Sequence, residues 1–261
     1  MTDKKKFIIG SRGSQLSLAY SGYVKNLLIK SSSQFDDNSI EIKIIKTSGD
    51  IFKNKRISDI GGKGVFCKQI EEELLESKID LAVHSLKDLP TKMTDGLCVN
   101  AVVARNDPRD AFLSYTSKSF NELKAKSKIG TSSFRRYAQL KLLRNDLEVV
   151  TMRGNIDTRI KKLKNKEYDA IVLSLAGIQM LNLIKQVKEV FTIDQMLPAI
   201  GQGAIALQCK KDDQKTLNIL KSINDKETFY CIQAERALLE AIGGDCDTAI
   251  GGFSKLSNDK I

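Results

Sequence analysis

The residues best placed to do chemistry are Lys87 and Asp88. They close the run Ile79-Asp80-Leu81-Ala82-Val83-His84-Ser85-Leu86-Lys87-Asp88-Leu89-Pro90, which begins as an apolar stretch of strand length and ends in a polar cluster stopped by proline. The carboxyl end of a strand is where open α/β sheets bind their ligands. An acid and a base held side by side there suit proton transfer or charge stabilisation. Taken alone, the segment is also explained by a strand followed by an ordinary polar turn.

Three further segments share one device: a strand, a small polar loop carrying arginine, then a helix start. They are Gly10-Ser11-Arg12-Gly13-Ser14, Gly130-Thr131-Ser132-Ser133-Phe134-Arg135-Arg136, and Thr151-Met152-Arg153-Gly154-Asn155 with Arg159 in the helix that follows. Unpaired N–H groups at a helix start attract anions, and arginine adds a planar fork that grips carboxylate or phosphate. Capping with a solvated arginine nearby explains any one of these junctions. All three together favour a polyanionic ligand held in a cleft. The sequence has neither a G-x-x-x-x-G-K-[ST] loop nor a G-x-G-x-x-G fingerprint. Tryptophan is absent and aromatic residues make up 6%, so no stacking platform for single-stranded nucleic acid is evident. A carboxylate-rich small molecule fits better than a nucleotide.

Cysteines 67, 98, 209, 231 and 246 are widely spaced with no C-x-x-C pair, and His84 is the only histidine. Neither a disulfide framework nor a metal site is expected. Cys246 differs from the others because it follows the helix stop Gly243-Gly244 and falls in a loop. Asp245 and Asp247 flank it and disfavour the thiolate, which makes it a poor low-pKa nucleophile. Attachment of a strongly electrophilic group remains open to it.

The elements that must position these residues alternate, which argues for an α/β architecture. Strands are expected at 7–10, 40–47, 80–84, 97–104, 128–130, 148–151, 169–175 and 204–209. Helices are expected at 15–30, from the Gly61–64 turn to 76, and at 133–144, 156–164, 214–223 and 227–241. Asp107-Pro108-Arg109-Asp110 reads as a turn. At 261 residues, two or three compact units are expected. The net charge of +10 implies an anionic partner without naming it, and the lysines are scattered as on a solvated surface. The longest apolar stretch, near 170–178, is far shorter than a membrane span. The N-terminal apolar run is too short for a secretory signal, so a cytoplasmic protein is expected.

In order and spacing these segments resemble the porphobilinogen deaminase (hydroxymethylbilane synthase) family. The matching stretches are Gly10 to Leu16, Gly61-Gly62-Lys63-Gly64-Val65-Phe66, Ala82 to Pro90, Asp107-Pro108-Arg109-Asp110-Ala111-Phe112 and Gly130 to Arg136. Arg153-Gly154-Asn155 with Thr158-Arg159, Leu197-Pro198-Ala199-Ile200-Gly201-Gln202-Gly203-Ala204, Ala234-Glu235-Arg236-Ala237 and the Cys246 loop complete the series.

The resemblance implies an enzyme that joins four porphobilinogen molecules head to tail, releasing ammonia each time, to give the linear tetrapyrrole hydroxymethylbilane for porphyrin and haem biosynthesis. It implies a dipyrromethane cofactor on a thioether to Cys246, and Asp88 as catalytic acid and counter-charge. Arg12, Arg135, Arg136, Arg153 and Arg159 would bind acetate and propionate groups. Ser14, Ser85, Lys87, Thr131, Ser133 and Gln202 would be further cofactor or substrate contacts. It also implies a monomer that needs no metal, nucleic acid or membrane. The fold implied is two α/β lobes like those of periplasmic binding proteins, with a smaller α+β third domain. Their expected extents are 1–104 with 198–224, then 105–197, then 225–261.

Three departures from the family pattern stand out. Asp59 takes the place of a usual lysine, Met180 that of a usual arginine, and the sequence ends at Ile261 where the family's third domain continues. A strand at 251–256, a hairpin turn at 257–260 and a helix 227–241 with an exposed apolar face describe an incomplete third domain. The rival readings are a non-catalytic two-lobed binding protein for an organic polycarboxylate, which leaves Cys246 unexplained, and a nucleic-acid-binding protein, suggested by charge alone.

Overall fold

Two sheets of like construction carry the site. The computed structural model describes residues 6–51, 66–245, 248–258 and 260–261. Asp59, the Gly61–64 turn, Cys246 and Asp247 lie outside the described residues.

The chain first lays down β1 (Phe7–Arg12), α1 (Gln15–Ser31), β2 (Ile40–Ile45), the single turn α2 (Ser48–Ile51), α3 (Lys68–Leu75), β3 (Leu81–Ser85) and β4 (Leu97–Val102). It then crosses over to build β5 (Asp110–Ser114), β6 (Lys128–Gly130), α4 (Phe134–Leu143), β7 (Glu148–Val150), α5 (Ile156–Lys164), β8 (Ala170–Ser174), α6 (Leu175–Met180) and β9 (Glu189–Val190). It returns to the first sheet with β10 (Ile205–Lys210) and closes with α7 (Gln214–Lys221) and α8 (Lys226–Ala241). The strand orders are β2-β1-β3-β10-β4 and β7-β6-β8-β5-β9. In each sheet three neighbouring strands are parallel, and the next is an antiparallel strand next to a crossover, β10 or β5.

The apolar run of β3 follows from burial on both faces. Leu81 and Val83 pack with Tyr20, Val24 and Leu28 of α1, while Ala82 packs with Ile70 and Leu74 of α3. Strand β8 repeats the pattern: Ala170 and Val172 meet Phe112, Leu140 and Phe191, and Ile171 and Leu173 meet Met152, Leu163 and Ile178.

Strand β5 departs from expectation. Asp107 does make a turn, its carboxylate accepting the Arg109 N–H at 3.0 Å, but Asp110 starts a fully buried strand. The two crossover segments run side by side. Asn106 N–H donates to the Gly203 carbonyl at 3.0 Å, and Gln202 Nε2 donates to the Pro108 carbonyl at 2.6 Å. Gly203 has φ +87°, and a Cβ there would collide with the Asn106 carbonyl, so glycine is required on both counts.

Helix α8 has its apolar face covered in part. Ile232 is buried with Leu86, Leu89, Ala204 and Ala206 of the first sheet, although Tyr230 and Leu238 remain exposed. Glu235 is buried in a bidentate pair with Arg105, at 2.5 and 3.1 Å, and accepts the N–H groups of Gly201 and Ser254. The strand expected at 251–256 is reduced to a bridge from Gly251 to Ala199. Ser254 N–H turns to the Glu235 carboxylate instead of a neighbouring strand. Ser257 and Lys260 form an antiparallel bridge, and Asp259 between them lies outside the described residues.

Candidate active site

Strand β3 ends at Ser85, and one 3-10 turn, Leu86–Asp88, carries the acid and base into the cleft between the sheets. The turn is anchored by buried Leu86, whose N–H donates to the Ala204 carbonyl at 3.0 Å. Asp88 is thereby exposed and Lys87 half-buried, with Nζ 3.4 Å from Gln202 Oε1. Burial, then the guanidinium of Arg136, lowers the Lys87 pKa to about 8 against the pull of Asp88 and Asp110.

Arg12 ends β1 and lies over the Phe66 ring, 4.1 Å from its centroid. Ser14 caps α1, accepting the Ser17 N–H at 3.2 Å, and the first turns of that helix bring Ser17 and Tyr20 to the cleft wall. His84, also at the wall, is held neutral. Burial drops its pKa to about 4, and Nε2 contacts Gln208 Oε1 at 3.0 Å.

The opposite wall comes from the second sheet. Gly154, Asn155, Asp157 and Arg159 line it at the start of α5, with Ser174 at the end of β8. Arg159 Nε donates to the Gly154 carbonyl at 2.7 Å. Burial, then the charge of Arg136, lowers the Arg159 pKa to about 10.

The middle junction folds differently. Asp110 receives Arg135 Nη2 at 2.8 Å and Arg136 Nη2 at 2.7 Å, and all three side chains are buried. Burial alone would raise the Asp110 carboxyl, but the two guanidiniums, Arg136 foremost, outweigh it and hold the pKa at about 2. Arg135 also donates to the Leu197 carbonyl at 2.6 Å and does not line the cleft. Arg136 does line it while bonding Asp110 and the Val172 carbonyl.

Thr131 and Gln202 are buried, and Ser133 and Arg153 half-buried. Ser133 Oγ caps α4, Thr131 Oγ1 accepts the Ser133 N–H, and the Gln202 amide is locked between Asp110 and Pro108. Sequence reasoning missed Asp110, because it sits beside a turn-forming proline and its partners lie 25 and 26 residues away. It also missed Tyr20, whose phenol pKa is raised by burial and then by Asp88. Met180 packs against the first sheet's core.

Among the described residues no group of His, Cys, Asp or Glu could hold a metal, and no helix is long and apolar enough to cross a membrane. The described cleft lining carries Arg12, Lys87, Arg136 and Arg159 against Asp88 and Asp157. That surplus of positive charge, with Asp88 and Asp157 both exposed, fits a ligand bearing several carboxylates and a developing cation.

Comparison with known proteins agrees with this chemistry. A family model described as "Porphobilinogen deaminase, dipyromethane cofactor binding domain" matches residues 7–218. A porphobilinogen deaminase of Syntrophomonas wolfei is 44% identical over 253 residues, covering 97% of this chain and 82% of the relative. One from Rickettsia bellii is 47% identical over 256 residues, covering 97% and 84%. Among solved structures, the methionine-binding protein MetQ aligns over 97% of this chain and 100% of its own, with TM-score 0.54 and 12% identity. That last likeness is one of fold, two α/β lobes around a cleft.

Proposed function

The chain belongs to the porphobilinogen deaminase family, and from that premise we propose that its cleft couples porphobilinogen units into hydroxymethylbilane with loss of ammonia. One observation carries the assignment of roles: cationic side chains from both sheets converge on the cleft into which Asp88 projects. Each porphobilinogen brings two carboxylates, so a growing chain gathers negative charge that fixed cations must balance.

Cys246 would hold the dipyrromethane cofactor, which when bound would supply the chain end to which substrate is joined. Its carboxylates suit the surplus charge of Arg12, Lys87, Arg136 and Arg159. Asp88 acts as acid and counter-charge. Its protonated carboxyl can give a proton to departing ammonia, and the carboxylate left behind can then stabilise positive charge on a pyrrole nitrogen. Lys87 and Arg159 orient carboxylates at opposite walls, and Ser14 and Ser85 add hydroxyl contacts. Arg135, Thr131, Ser133 and Gln202 act from behind the wall by fixing Arg136 and the crossover segments. Arg153, half-buried in the loop before α5 and close enough for its charge to act on Arg159, would help bind acetate and propionate groups. The protein works as a monomer in the cytoplasm, without metal or nucleic acid.

Intact-mass measurement of the purified protein tests the reading. A covalent dipyrromethane adduct is expected in the wild type and none in Cys246→Ser. An unmodified wild type that binds polycarboxylates without turning over porphobilinogen would point to the binding-protein alternative. An adduct that survives in Cys246→Ser would falsify the attachment site.

A further inference from the structure

Cys98 and Cys209 stand apart from the cleft and from the proposed chemistry. They are directly opposed in the antiparallel pairing of β4 and β10. Opposed residues have Cα atoms about 4.5–5.5 Å apart and direct their side chains to the same face. That spacing lies inside the roughly 4.4–6.8 Å a disulfide spans. Both thiols are free. Cys209 is fully buried in the first sheet's core, and Cys98 packs half-buried against the same cluster, so one partner is reachable from solvent.

Two cysteines on one sheet face have an ordinary explanation as small apolar fillers. Cys67 and Cys231, each buried in a separate setting, fit it. The opposed pair differs because its thiols interact. The hydrogen bond from Cys209, and then the charge of Lys211, bring the Cys98 thiol down to about 7 against its partial burial. The same contact, and then burial, push Cys209 up. The contact therefore favours the thiolate on the reachable Cys98 over the sheltered Cys209.

We propose that Cys98 and Cys209 form a reversible cross-strand disulfide under peroxide, with Cys98 oxidised first and Cys209 resolving. The Cys98 thiolate attacks hydrogen peroxide, breaking the O–O bond to give a sulfenic acid and hydroxide. The Cys209 sulfur then displaces the sulfenic oxygen, which leaves as water after taking up the thiol proton. Two thiols are oxidised, and one peroxide is reduced to two waters. The bond closes a loop that contains the whole second sheet. It lies at the end of β10 remote from Ile205, which pairs with Ser85 beside the cleft. Oxidation should therefore raise the unfolding midpoint and leave turnover unchanged.

The test treats purified holoprotein with stoichiometric hydrogen peroxide and maps peptides without reduction. A Cys98–Cys209 linked peptide, lighter by two hydrogens and released by dithiothreitol, is expected. Cys209→Ser should stop at a dimedone-trappable sulfenic acid on Cys98, and Cys98→Ser should resist oxidation. The wild-type map alone decides if a variant fails to fold. Absence of reaction, a disulfide between other cysteines, or over-oxidised Cys98 beside a free Cys209 would each overturn the proposal.

Discussion

The junctions before α4 and α5 read alike in sequence: a strand, hydroxyl or amide residues, and arginine at the helix start. Folding gives them opposite fates. Before α5, Arg159 stays at the cleft wall with a single backbone partner. Before α4, Arg135 and Arg136 are buried on Asp110, and only Arg136 also reaches the cleft. The difference lies in β5, which delivers a carboxylate to one junction and none to the other. An arginine motif therefore announces an anion site, and the protein's own acids decide whether the anion comes from outside.

Removing Asp110 should break that contrast with the largest effect. Asp110→Ala leaves two buried guanidiniums without their counter-ion, and breaking such a pair costs about 3–5 kcal/mol. A denaturant titration should show that loss, and an unchanged midpoint would reverse the reading of the middle junction.

The two aspartates sharpen it next. Asp88 is exposed at the cleft and, among the described residues, has no side-chain hydrogen bond or ion pair of the kind that fixes Asp110. Asp88→Asn should keep the unfolding midpoint while turnover of porphobilinogen falls by on the order of a hundredfold or more. Near-normal turnover would remove Asp88 from the chemistry.

The arginines give a paired test of smaller size. Arg135→Leu should destabilise by about 1.5–3 kcal/mol, the range for hydrogen bonds to a charged group. Arg159→Leu should change stability by within about 0.5 kcal/mol but stall elongation, seen as partly extended chains in the intact mass. If the two variants exchange these phenotypes, the cleft has been drawn with the wrong arginine.

The smallest effect concerns Lys87. Its folded pKa of about 8 lies below the ordinary 10.5, so between those values the unfolded chain binds a proton that the folded chain has released. Stability from this group therefore rises with pH across that window, and the cost of burying the cation is complete below it. Lys87→Met should flatten the rise in denaturant midpoint, and an unaltered slope would assign it to another group.

Much of the site was legible because it rests on local pattern. The apolar run of β3 and its proline stop placed Lys87 and Asp88 at a strand end, and residues 156–164 gave the α5 helix with its start at Asn155. What stayed hidden depends on contacts distant in sequence. A buried arginine and a ligand-binding arginine are the same letter until the strand bearing Asp110 is placed beside them. Likewise, the apolar residues of α8 revealed no partner, because the partners are the β3 turn and the crossover of the first sheet. The motifs at 61–64 and Cys246 fall outside the described residues and rest on the sequence alone.

The lacing of the two crossovers has a mechanical consequence. A single tether would let one lobe swivel in any direction relative to the other. Two tethers joined by Asn106, Gln202 and the bare Cα of Gly203 act as a door hinge with one axis. The lobes can then gape or shut, but sliding or twisting would tear those bonds.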